Sequence, residues 1–123
     1  MIVNICRENC PLEVAGLPYL RLHGYEVCVR SIYAEFDEDL PNGYVTLVSH
    51  LVDRNNLNPN REIFSFFNDS YIPNIIQYTP INLVWYPLHS AYIDANTIEF
   101  EIPNSKVKTI KKLHLQLEFA ELE

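Results

Sequence analysis

Cys6, Cys10, His23 and Cys28 are the residues whose types and spacing first suggest chemistry. Thiolates and imidazoles are preferred zinc ligands, and these four have the approximate separations that a tetrahedral site can use. A zinc-stabilised adaptor is one reading that follows. A finger of the helix-containing kind needs its last ligands on a helix, whereas residues 19–22 and 25–29 look extended. The competing reading places Cys28 in or near the core, leaves Cys6 or Cys10 as a free thiol, and sets His23 at a turn beside Gly24. Three cysteines without a secretory signal argue against a disulfide framework.

The acidic run Glu35, Asp37, Glu38 and Asp39, with Asn42 nearby, offers hard oxygen donors for calcium. Its spacing does not fit the familiar loop. That loop wants a donor at position 41, glycine at 42 and a bidentate glutamate at 48, where this chain has Pro41, Asn42 and Val48. Solvated charges at a hairpin tip account for these residues better.

Catalytic patterns are scarce. His23, His50, His89 and His114 are dispersed, and the adjacent pairs Ser49-His50 and His89-Ser90 would point to opposite faces of a strand. Glu99 and Glu101 share a strand face, which solvation explains. Three glycines leave little material for a phosphate loop. The reading is a protein without enzymatic activity or cofactor.

Lys106, Lys108, Lys111 and Lys112 form a local basic segment in a chain of net charge −7 with nine basic residues. That balance argues against general binding to nucleic acid or to an anionic membrane. No arginine fork or recognition helix accompanies the lysines, so sequence-specific DNA reading is not expected. If the segment is continuous, Lys106, Lys108 and Lys112 share one side, with Val107 and Lys111 on the other. A solubilising strand edge and a contact for an acidic protein surface are the two competing readings. Among the aromatics, Tyr71, Tyr78, Trp85 and Tyr92 offer a platform for sugar stacking, though Trp85 suits a core better. Tyr71 and Tyr92 also suit a protein interface.

The elements that must position these residues are strands. Ile98, Phe100 and Ile102 alternate with Glu99 and Glu101, and Leu113, Leu115, Leu117 and Phe119 repeat the pattern, with His114 on the opposite, polar face. Further strands are expected at 25–36, 44–52, 62–67, 71–78 and 81–86. Pro41-Asn42-Gly43 is expected to close a hairpin between the first two of these. Residues 53–60 read as the clearest loop and a place for partner contact. At 48% apolar and 20% charged, 123 residues suit one globular domain, 1–123. The expected fold is all-β, a compact antiparallel β-sandwich of seven or eight strands, with a jelly roll as one form of it. The start lacks the basic and apolar regions of a secretory signal, and no apolar run is long enough to span a membrane.

Residues 81–119, through their segments 81–88, 97–102 and 113–119, resemble the final strands of viral jelly-roll capsid, penton-type or minor capsid proteins. That resemblance implies structural assembly within a virion, with no cofactor or catalytic site. The leading expectation is therefore a structural or assembly protein, intracellular or in a virion, that binds copies of itself, viral capsid proteins or another protein partner. A carbohydrate-binding β-sandwich and the zinc-stabilised adaptor are its rivals.

Overall fold

The computed structural model describes residues 1–16, 25–41, 43–49, 61–68, 73–88, 97–102 and 106–121. They form nine strands: β1 (Ile2–Pro11), β2 (Glu13–Ala15), β3 (Tyr25–Phe36), β4 (Gly43–Ser49), β5 (Arg61–Asn68), β6 (Ile75–Tyr78), β7 (Tyr86–Leu88), β8 (Thr97–Glu101) and β9 (Thr109–Glu121). The first sheet runs β1-β9-β3-β6, with β7 also paired to β3, and the second runs β2-β8-β4-β5. Every pairing is antiparallel. The expected all-β antiparallel sandwich is therefore present, with nine strands among the described residues. Among these residues no helix is long and apolar enough to cross a membrane.

The pattern at the C-terminal end explains the layering. Leu113, Leu115, Leu117 and Phe119 on β9 are buried, as are Ile98 and Phe100 on β8. These two strands belong to different sheets and contribute to one core, together with Ile5, Val27, Ile32, Phe36, Val45 and Leu47. Phe36 and Phe100 meet between the sheets edge to face, with ring centroids 5.6 Å apart and planes at 83°. Burial of each such side chain stabilises the fold by roughly 1.5–3 kcal/mol. β9 lies between β1 and β3, so both of its edges are paired over most of its length.

Two bulges interrupt this regularity. Between Val29 and Ser31 the β9 partner moves only from Leu117 to Gln116, leaving Arg30 as an extra residue on β3. Between Glu35 and Phe36 it jumps from Lys112 to Ile110, leaving Lys111 as the extra residue on β9. Each bulge switches which alternate residues face inward. On β3 the inner face passes from Val27 and Val29 to Ile32, Ala34 and Phe36. On β9 it passes from Leu113 to Ile110, so Lys111 and Lys112 are both exposed. This corrects the simple alternation that placed them on opposite sides.

The expected hairpin between β3 and β4 does not form, because these strands lie in different sheets. Residues 37–41 instead cross the end of the sandwich. Leu40, 5% exposed and directly after the acidic run, draws that connection over the core. The Leu40 amide donates to the Pro73 carbonyl at 2.7 Å, and the Phe36 amide to that of Asn74 at 2.9 Å. The expected strand at 81–86 is also shorter: only Tyr86–Leu88 pairs with β3, and Ile81 is fully exposed. Pro80 supplies no backbone donor, which helps explain why pairing stops.

Asp37, expected as a solvated tip charge, is built into this corner. Its Oδ1 accepts from the Lys108 and Thr109 amides at 3.2 and 3.1 Å, and its own amide donates to the Thr109 carbonyl at 3.2 Å. The Thr109 amide is the largest influence holding its carboxyl below the ordinary aspartate range. Because the folded value lies below the unfolded one, Asp37 stabilises the fold above the unfolded pKa of about 3.9. That contribution fades as pH falls through the lower folded value. Asp37→Ala is expected to be less stable at neutral pH and to show a weaker loss of stability on acidification. Urea unfolding of both proteins at neutral and acidic pH measures this; parallel pH dependences would refute it.

Candidate functional site

The outer face of the first sheet carries its polar chemistry in rows set by strand register. One row reads Cys6 on β1, His114 on β9, Tyr33 on β3 and Gln77 on β6. The next reads Glu8, Lys112 and Glu35. Met1 and Phe119 exchange both backbone hydrogen bonds, at 2.9 and 2.8 Å. Antiparallel alternation then makes Cys6 and His114 a non-hydrogen-bonded pair, the type with Cα atoms about 4.5 Å apart and closely approaching side chains. Both side chains are exposed. They share a shallow depression of about 350 Å³ with Arg7, Glu8, Lys112 and Leu113.

Arg7 closes the margin of this depression. Its Nη1 donates to the Cys6 carbonyl at 2.9 Å, an outward-facing group by the same alternation, and its Nη2 donates to the Ala15 carbonyl at 3.0 Å. Gly16 lies alongside at a φ of 145°, where a Cβ would come 3.2 Å from Arg7 Nη2. The guanidinium thus ties β1 to the end of β2 and covers part of the open edge of β1.

The three cysteines are free thiols and do not converge. Cys6 and Cys10 are four residues apart on one strand, roughly 13 Å of extended chain. Cys28 lies on β3, beyond β9, opposite Glu118 and so level with Ile2 rather than with Cys6. Zinc–sulfur bonds of about 2.3 Å cannot bridge those separations. The proposed zinc set Cys6, Cys10, His23 and Cys28 is therefore corrected for its cysteines; His23 lies outside the described residues. Among the described residues no group of three or more His, Cys, Asp or Glu is placed to hold a metal ion. Cys28 is fully buried, and burial pushes its thiol pKa up, with Glu118 adding to the effect. Arg30, the bulge residue, holds Glu118 beside it through a 2.9 Å ion pair. Burial likewise raises the thiol pKa of half-buried Cys10.

The lysine segment is neither a strand edge nor an isolated basic patch. Lys106 and Lys108 precede β9, while Lys111 and Lys112 lie within this interior strand. All four are exposed, and Lys112 is flanked in register by Glu8 and Glu35. Tyr71, Tyr92 and the 53–60 loop lie outside the described residues. Trp85 is half-buried.

A second surface feature takes the place of most of the strand expected at 81–86. β6 and β7 pair with the same side of β3, and between them seven residues, 79–85, face only four, 28–31. The surplus chain leaves the sheet edge beside the Arg30 bulge. This excursion exposes Ile81 by 99%, Val84 by 47% and Leu83 by 36%, next to Tyr78 at 38%. Pro80, followed by the apolar residues Ile81, Leu83 and Val84, gave the available sequence signal. Comparisons with protein-family models, curated proteins and solved structures find no match to this chain.

Proposed function

We propose that the protein is a structural or assembly module of jelly-roll form, joining copies of itself or other capsid-type subunits through its 78–84 edge. The strand order supports the jelly-roll reading. Taking β6 and β7 as one interrupted strand, each sheet has four positions, β1-β9-β3-β6 and β2-β8-β4-β5. The chain passes between sheets after β1, β2 and β3, keeps β4 and β5 together, and returns through β6. Two Greek keys folded over one another produce such an order, an arrangement used by viral capsid domains and also by lectins and cupins. Fold analogy alone does not choose among those functions.

The observation that carries the assembly reading is the nearly complete exposure of Ile81 within an apolar edge excursion. Single exposed apolar residues are ordinary, whereas Tyr78, Ile81, Leu83 and Val84 fall within one short segment. Clustered apolar surface marks sites of protein contact. Seated in a partner pocket, Ile81 would lose its contact with water, and the sheet edge beside it would fix orientation.

The test is mass measurement across a concentration series, alone and with candidate capsid-type partners, for the natural protein and Ile81→Asp. We expect oligomer or complex formation in the natural protein, and an apparent affinity weaker by about tenfold or more in the variant. The variant should remain folded because the residue has no core role. A protein monomeric throughout, without partner binding, overturns the proposal; so does association insensitive to the substitution.

A further inference from the structure

We propose that Cys6 is a thiol–disulfide exchange site served by His114, with low-molecular-weight disulfides as its co-reactants. This goes beyond the assembly reading and does not depend on it. Of the three free thiols only Cys6 is exposed, and it alone lies directly opposite a histidine in the strand register. The pair is of the close, non-hydrogen-bonded type, and both residues line the same depression. Its charged and titratable surroundings are Arg7 and Glu8 from β1, Lys112 from β9, and Tyr33 and Glu35 from β3. Tyr33 Oη donates to Glu35 Oε2 at 3.5 Å, while Arg7 already serves two carbonyls.

The exchange balances without a further reactant. The His114 imidazole accepts the Cys6 thiol proton, and the resulting thiolate attacks one sulfur of a disulfide RSSR. The R–S–S–R bond breaks as the Cys6–S–S–R bond forms, and RS⁻ leaves, taking the proton from the imidazolium. The Cys6 sulfur is oxidised and the departing sulfur is reduced. An adjacent imidazole allows this attack below the pH at which an isolated thiol ionises. Cys10 and Cys28 are internal comparators, since burial raises both of their pKa values and restricts access to them.

The experiment follows reaction of the full-length native protein with 5,5′-dithiobis(2-nitrobenzoate), an anionic disulfide, and with cystamine, a cationic one. Peptide mass mapping identifies the modified cysteine. We expect one fast equivalent at Cys6 that disappears in Cys6→Ser. In His114→Gln that phase should slow by about tenfold near pH 6.5 with both probes, and match the natural protein near pH 9, where hydroxide in solution can take the proton. Circular dichroism checks that both variants stay folded. Fast labelling of Cys10 or Cys28, or an unchanged pH profile in His114→Gln, overturns the proposal. Slowing with the anionic probe alone also overturns it, because that would reflect charge attraction rather than proton acceptance.

Discussion

Phe100→Ala is expected to cost about 3–5 kcal/mol of folding stability, the range for removing a buried phenylalanine. Typical domains have only about 5–15 kcal/mol in total. Phe100 is 1% exposed on β8, and its ring meets that of Phe36 on β3 across the space between the sheets. Truncation therefore opens a cavity at the sheet–sheet contact, where neither sheet can collapse without moving its hydrogen-bonded neighbours. Phe36→Ala should show a loss of similar size. The double variant should lose less than the sum of the two, with a coupling of about 0.5–1.5 kcal/mol from the edge-to-face pair. Urea unfolding of the four proteins gives these quantities. A loss below about 1 kcal/mol for Phe100→Ala would contradict the stacking of β8 on β3.

The faces of β8 and the C-terminal part of β9 were legible because each has one buried side and no intervening bulge. Ile98 and Phe100, then Leu113, Leu115, Leu117 and Phe119, keep a period of two for as long as the pleat is regular. The full extent of β3, Tyr25–Phe36, was legible from its β-branched and aromatic content and the acidic run that ends it. Sheet membership was not. Pro41-Asn42-Gly43 is a sound local turn signal, but a turn does not specify whether the next strand lies beside its predecessor or across the core. Leu40 was the clue, an apolar residue set between the acidic run and the turn.

The candidate thiol site was hidden for a related reason. Cys6 and Cys10 are close in sequence and separated along a strand, whereas Cys6 and His114 are distant in sequence and neighbours across a ladder. Sequence spacing marks ligand sets well in compact turns and poorly on extended chain. His114 was correctly placed on the polar face of the last strand, yet its partner depended on β1 pairing with β9, and local patterning contains no record of that register. The 79–85 excursion was obscured in the opposite way: Ile81, Leu83 and Val84 have the composition of a buried strand and lie outside the sheet.

The bulge at Lys111 yields the sharpest contrast between regular alternation and the fold. Uninterrupted alternation back from Leu113 would turn Ile110 toward water beside Lys112 and turn Lys111 toward the core. The extra residue reverses this, leaving Ile110 fully buried and Lys111 exposed. Ile110→Lys is therefore expected to destabilise the protein by about 4 kcal/mol or more. Lost isoleucine packing contributes about 2–5 kcal/mol, and the ammonium must either enter the core unpaired or shed its proton. Lys111→Ile, one residue away, should change stability by no more than about 0.5 kcal/mol, because that side chain meets solvent. Thermal and urea unfolding of the two variants decide the matter. A regular β9 would give the reverse order, with Ile110→Lys harmless. His114 lies on the C-terminal side of this bulge, where buried Leu113 and Leu115 keep the regular alternation, so it faces outward beside Cys6 in either case and the two variants test the bulge without disturbing the thiol–imidazole pair.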